Sequence, residues 1–157
     1  MKKVNLIVPC YNEAEALPLF KDELNKVIQT LDQYTFEILL INDGSTDTTL
    51  YDMKEICDTD SHYKYISFSR NFGKEAAMYA GFCNSDGDYA AIMYADMQDP
   101  PALLPDMLHC LETEDYDSVA TRRVSRIGEP KIRSFFARNF YKLINKISDA
   151  DVVDGAR

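Results

Sequence analysis

The sequence predicts an α/β fold with a mainly parallel sheet flanked by helices, and three observations predict it. Short apolar runs alternate with longer stretches whose apolar residues recur at helical spacing. Nearly every run ends in a cluster of Asn, Asp, Ser or Gly, as strands do when they give way to turns. The 157 residues suffice for one hydrophobic core, and an apolar share of 46% with a charged share of 27% argues against wholesale disorder.

Residues 4–9 read as a short, largely buried strand ended by Pro9. Residues 13–31 read as a helix with Leu17, Leu24, Val27, Ile28 and Leu31 on one side and Asn12 as its cap. Residues 36–41 form the second strand. The turn Asn42-Asp43-Gly44-Ser45 then leads through Thr46 and Asp47 into a helix with Leu50, Met53, Ile56 and Cys57 inward. A third strand at 63–68 precedes an Ala-rich helix at 73–83. Asp86-Gly87-Asp88 turns the chain into a fourth strand at 89–94, Pro101 opens a helix to 111, and 118–120 make a fifth, short strand. No internal repeat or low-complexity linker interrupts this order.

Charge is unevenly spread. The chain carries a net charge of -9, which argues against general nucleic-acid binding. Residues 1–121 hold 8 Lys or Arg against 22 Asp or Glu, whereas 122–147 hold 8 Lys or Arg against Glu129 alone. The expected organisation is therefore an α/β core at 1–121 and a basic helical segment at 122–157. In that segment Ile132, Phe136, Phe140, Leu143 and Ile147 share a helical face opposite Lys131, Arg138, Lys142 and Lys146. Such a helix can lie on an anionic membrane, cover the sheet, or meet another copy of the chain. Cys10, Cys57, Cys83 and Cys110 lack zinc-site spacing and read as small core thiols in a reducing compartment. Lys2 and Lys3 precede an apolar run too short for a signal peptide or a membrane span. Asp154-Gly155-Ala156-Arg157 does not resemble a natural stop, so further chain is expected after it.

In parallel sheets, ligands gather beyond the carboxyl ends of the strands. Polar residues fall there four times: Asn12 and Glu13; Asn42, Asp43 and Asp47; Ser69, Arg70 and Asn71; Asp96 and Asp99. Asp96 and Asp99 are hard oxygen ligands able to hold a divalent cation against a diphosphate, although Asp99 can equally cap the following helix. Asp43 can accept hydrogen bonds from a base or ribose, and Gly44 permits close backbone approach; an Asx turn explains the same residues structurally. Arg70 and Lys74 can balance a phosphate or simply remain solvated. No Gly-x-Gly-x-x-Gly or Walker lysine pattern occurs.

Four runs make the pattern more specific: Ile7-Val8-Pro9-Cys10-Tyr11-Asn12-Glu13, Asn42-Asp43-Gly44-Ser45-Thr46-Asp47, Ser69-Arg70-Asn71-Phe72-Gly73-Lys74-Glu75 and Ala95-Asp96-Met97-Gln98-Asp99-Pro100-Pro101. Arg122-Arg123 and Gly128-Glu129-Pro130 continue them. Together they resemble family 2 glycosyltransferases of the Rossmann-like GT-A fold, in the branch that acts on polyprenyl or dolichyl phosphate. The resemblance implies inverting transfer of a sugar from a nucleotide diphosphate, UDP by preference, to a polyprenyl phosphate at the cytoplasmic face of the cell membrane. It also implies a truncated family member, whose acceptor segment and membrane spans lie beyond Arg157. By the same resemblance Pro9, Tyr11 and Glu13 line the nucleotide pocket, and Asp43, with Asn42, Gly44 and Ser45, meets the base or ribose. Asp96 matches the second carboxylate of D-x-D, which binds Mg2+ or Mn2+. Asp99 arranges the acceptor phosphate or the metal surroundings, while Arg70 and Lys74 serve the phosphates. Asn42 stands where Asp is common. Tyr94 replaces the first Asp of D-x-D, and a phenol is a poor ligand for a hard cation. Competing expectations are a family 2 transferase with a polysaccharide or protein acceptor, and a nucleotide-sugar-binding protein that Tyr94 has made inactive.

Overall fold

The computed structural model describes residues 1–114 and 116–121. The chain divides into two units, Met1–Asp106 and Met107–Arg157, and the first contains the sheet and every candidate site residue. Among the described residues, strands β1 (Lys2–Cys10), β2 (Tyr34–Asn42), β3 (Tyr63–Ser67) and β4 (Tyr89–Ile92) alternate with helices α1 (Leu17–Ile28), α2 (Thr49–Thr59) and α3 (Lys74–Cys83). A short 3-10 turn at Pro101–Leu103 runs into α4 (Leu104–Thr113). The strands form one parallel sheet in the order β3-β2-β1-β4.

That order follows from the hydrophobic pattern. β1 lies between two neighbours, and Val4 to Cys10 are all buried, which is why its sequence reads as a nearly continuous apolar run. Ile7 pairs in register with Leu39 on one side and Ile92 on the other. On that face Ile7, Leu39 and Ile41 pack with Ala77 of α3, joined by Ile66, Phe68 and Ala80. Gly81 lets the helix approach this closely, because a Cβ there would overlap the Ile7 side chain. With right-handed crossovers, α1 and α2 fall on the opposite face. Leu17, Phe20 and Leu24 of α1 and Met53 and Ile56 of α2 are the buried positions of those helices.

Several expectations change. α1 begins at Leu17, with Ala16 before it and Pro18 in its first turn, so Asn12 does not cap it. Asn12 instead adopts a left-handed backbone (φ 56°) and serves another loop. β1 extends one residue past Pro9, to Cys10. Residues 118–120 form no strand, since no ladder partner meets this run of three residues, two of which are exposed. All four cysteines are free; Cys10 is buried as expected, but Cys83 is exposed on the outer side of α3. The basic helix expected at 131–147 and the boundary expected after residue 121 lie outside the described residues.

Candidate active site

The chain lays down β1, β2 and β3 outward in one direction, then returns to place β4 on the free side of β1. The strand order therefore reverses between β1 and β4, and open parallel sheets hold their ligands at such a reversal, in the crevice beyond the carboxyl ends. The loops after β1 and β4 border this crevice, and the loop after β2 lies one strand further out. Asp43 directly follows β2, and Asp96 lies four residues beyond β4, two strands away in the sheet.

Hydrogen bonds stitch the first two loops together. The Asn12 amide donates to Ser45 Oγ (3.0 Å), and Asn12 Oδ1 accepts from the Thr46 amide (2.8 Å). The Glu13 amide donates to Thr49 Oγ1 (2.8 Å), whose hydroxyl donates to Asp47 Oδ1 (2.5 Å). Asp47 also accepts from the amides of Thr49 (3.0 Å) and Ala14 (3.3 Å). Partial burial works against ionisation of Asp47, but these bonds outweigh it and hold the carboxyl below its ordinary value.

The second and third loops are joined through Asn42 and Asp43. Asn42 Nδ2 donates to Ser67 Oγ (2.9 Å), and Asn42 Oδ1 accepts from the Ser45 amide (3.0 Å). Asp43 is 3% exposed, and its two oxygens accept the amides of Phe72 (2.7 Å) and Gly73 (3.0 Å). The carboxylate thus pins the segment that carries Arg70 and leads into Lys74. Gly44, at φ 67°, completes the joint, since a Cβ there would overlap the backbone of Arg70 and Asn71. Its close approach serves the protein's own chain.

The fourth loop faces the first. Burial, then the negative charges of Asp96 and Asp47, push the Glu13 carboxyl above its ordinary value. Asp96 is exposed, and its Oδ1 accepts the Gln98 amide (3.1 Å) in a tight turn whose Met97 has a positive φ of 58°. A left-handed Met costs about 1–3 kcal/mol, so the turn is held against its own preference. Among the described residues, Glu13, Asp43, Asp47 and Asp96 form no ion pair with Lys or Arg. Among the described residues this edge is therefore acidic, with Tyr11 exposed beside it.

No three His, Cys, Asp or Glu side chains converge among the described residues. A Mg2+ or Mn2+ ion held by Asp96 would therefore take most of its ligands from outside the described side chains, which such hard cations permit. Tyr94 takes no part in such a set. Its hydroxyl donates to Met78 Sδ (3.7 Å), and its ring faces Lys74 Nζ, 5.8 Å from the ring centroid. Arg70 lies over the Phe72 ring at 4.8 Å.

Residues 5–155 match the family described as glycosyl transferase family 2. This chain belongs to glycosyl transferase family 2. Within the family it is similar to putative glycosyltransferase CsbB of Bacillus subtilis (strain 168), 43% identical over 152 residues, which cover 97% of this chain and 45% of that protein. It is also 37% identical over 146 residues to the bactoprenol glucosyl transferase of Shigella phage SfV, covering 93% of this chain and 47% of that protein. The chain thus spans a little under half the length of these curated relatives. Among solved structures, the mannosyltransferase PcManGT from Pyrobaculum calidifontis, in complex with GDP-Man and Mn2+, superposes with a TM-score of 0.65 at 22% identity over 91% of this chain and 38% of that one. That likeness confirms the GT-A fold.

The fold brings the expected residues to the carboxyl edge of the sheet, from Pro9, Tyr11 and Glu13 through Asn42, Asp43, Gly44 and Ser45 to Arg70, Lys74, Asp96 and Asp99. Sequence reasoning missed Thr49, a fully buried hydroxyl linking the β1 and β2 loops, and the cross-loop role of Asn12. A run of Thr and Asp before a helix signals a cap, but which neighbouring loop it also holds is a tertiary matter. No helix among the described residues is long and apolar enough to cross a membrane.

Proposed function

We propose that this chain forms the donor-binding half of an inverting transferase that moves a sugar from a nucleotide diphosphate, preferably UDP, to a polyprenyl phosphate. The observation that carries the proposal is an acidic crevice, free of Lys or Arg ion pairs among the described residues, where Glu13 and Asp96 share one field beside the strand-order reversal. The similarity to a bactoprenol glucosyl transferase supports a lipid phosphate as acceptor.

Tyr11 offers an exposed aromatic face to the base, and Pro9 forms the wall beside it. Asn42, Asp43, Gly44 and Ser45 shape the base and ribose end, with Asp43 acting from beneath the loop it holds. Arg70 and Lys74 stand on the phosphate side, where fixed cations lower the cost of charge moving onto the leaving diphosphate. A Mg2+ or Mn2+ ion on Asp96 supplies further charge stabilisation to that diphosphate. Asp99 orients the incoming acceptor phosphate, which is already anionic and needs little help from a base. Attack from the face opposite the leaving group inverts the anomeric centre without a covalent intermediate. A lipid-linked acceptor puts this reaction at the cytoplasmic face of the cell membrane, and the 8 Lys or Arg of residues 122–147 suit an anionic lipid surface.

Calorimetry with UDP and Mn2+ tests the reading. Asp96→Ala should weaken metal-dependent UDP binding by about 10- to 100-fold, as loss of a charge-assisted contact does. Unchanged binding would remove Asp96 from the site. A donor screen with short polyprenyl phosphates should label the lipid; labelling of a polysaccharide or protein acceptor alone would select the other family 2 reading, and no turnover with any donor would select a binding protein.

A further inference from the structure

The position where D-x-D proteins carry their first Asp holds Tyr94, and the structure shows what it does there. Its side chain lies along the first turn of α3, touching two residues four apart on that helix. The ring meets the Lys74 ammonium and the hydroxyl meets the Met78 sulfur. Lys74 is exposed and forms no ion pair with Glu75 or any other carboxylate among the described residues. The aromatic face is thus the one partner recorded for this ammonium among them, at a distance where ring and cation attract. Lys74 follows Gly73, whose amide is fixed on the buried Asp43, so the base of the lysine is anchored from below. Two residues after Tyr94 stands Asp96, at the rim of the acidic crevice.

An Asp at position 94 would add a second carboxylate beside Asp96 and would attract Lys74 into an ion pair. The ring does neither. It restrains the ammonium without neutralising it and leaves the lysine charge available to an incoming anion. We infer that Tyr94 is a positioning residue that holds Lys74 as a resident cation for the donor diphosphate, giving this protein a component of nucleotide binding that needs no metal. The inference rests on the nucleotide-diphosphate reading of the crevice. It assigns to one side chain the exchange of part of a divalent cation's charge for a protein cation.

UDP titrated calorimetrically into the chain in EDTA, and separately in Mn2+, tests this. The wild type should bind in both buffers, more weakly in EDTA. Lys74→Met should lower the EDTA affinity by about 5- to 10-fold, the loss of one exposed charge-assisted contact. Tyr94→Leu should lower it by about 2- to 5-fold, the range of an exposed cation–π contact. Tyr94→Phe, which keeps the ring, should bind as the wild type does. In the Lys74→Met background Tyr94→Leu should have no further effect, because the ring then has no ammonium to hold. Thermal melts establish that each variant is folded. Wild-type EDTA affinity in Tyr94→Leu, or an equal loss with and without Lys74, overturns the positioning role while leaving the crevice reading intact. Metal-independent binding that is absent while Mn2+-dependent binding persists also overturns it. Absence of UDP binding in both buffers sinks the crevice reading, and this inference with it.

Discussion

At the two ends of the sheet, carboxylates of the same kind are handled in opposite ways. At the amino ends of the strands, Glu37 receives Lys64 Nζ (2.6 Å), Lys3 Nζ (3.3 Å) and Asn5 Nδ2 (3.2 Å), while Lys3 also binds Asp86. Burial pushes the Glu37 carboxyl up, but the two lysine hydrogen bonds outweigh it and hold it below its ordinary value. The buried Asn5 side chain closes this end by accepting the amides of Asp86 (3.2 Å) and Gly87 (2.5 Å). At the carboxyl ends, Asp43 and Asp47 are met by amides and a hydroxyl, and Asp96 by one amide. Amides satisfy lone pairs without cancelling charge, so burial first, and then the surviving charges of Asp96 and Asp47, raise the Glu13 carboxyl. One end pairs its carboxylates with lysines; among the described residues the other leaves them without a Lys or Arg partner.

Four substitutions sharpen or break this contrast. The largest effect belongs to Gly44→Ala. A left-handed alanine whose Cβ overlaps the Arg70 and Asn71 backbone should cost about 3 kcal/mol or more, measured by chemical denaturation. A loss below about 1 kcal/mol, the cost of the left-handed backbone alone, would mean that the loops are not interlocked as described. Next comes Asp43→Asn, which keeps the shape but turns an amide NH2 toward one of two donors. It should cost about 2 kcal/mol and speed tryptic cleavage after Arg70, since the segment it pins is released. Stability lost without faster cleavage would place the damage elsewhere.

The smallest effects are the pH-dependent pair. Glu13 has a raised carboxyl, so its penalty on folding is absent below the ordinary carboxylate range and grows as pH rises through its folded value. Glu13→Gln should therefore raise the melting temperature at pH 7 by about 1–3 °C, after allowing for solvent screening, with the gain fading toward pH 4. Glu37 has the opposite sign. Its contribution is present above the ordinary range and is lost as pH falls through its lowered folded value. Glu37→Gln should lower the melting temperature at pH 7 by a similar about 1–3 °C, and the deficit should close in acid. Melting curves that move together with pH for the two variants would erase the distinction between the ends.

Much of this was legible before any coordinates. The alternation of apolar runs with amphipathic stretches sufficed for the parallel α/β sheet, because strands buried on both faces must be apolar throughout and helices on one face need not be. Polar clusters after four strands sufficed to bring Asp43 and Asp96 to the same edge, because a parallel sheet gathers all its carboxyl ends there. The strand expected at 118–120 failed because the triplet Ser118-Val119-Ala120 contains no information about a ladder partner. Asn12 was misread as a cap because its real partners, Ser45 and Thr46, are more than thirty residues away.

What only the tertiary structure decided is which charges are spent. Sequence lists Asp43, Glu37 and Asp96 as equal acids, and Lys3 and Lys74 as equal bases. Folding buries Asp43 under two amides, pairs Glu37 with lysines from two other strands, and sets Lys74 against an aromatic ring rather than a carboxylate. The sequence determines the kind of each group through its chemistry. Its partner is settled by the distance between residues remote along the chain, and electrostatic energy depends on that distance and on the solvent left between them.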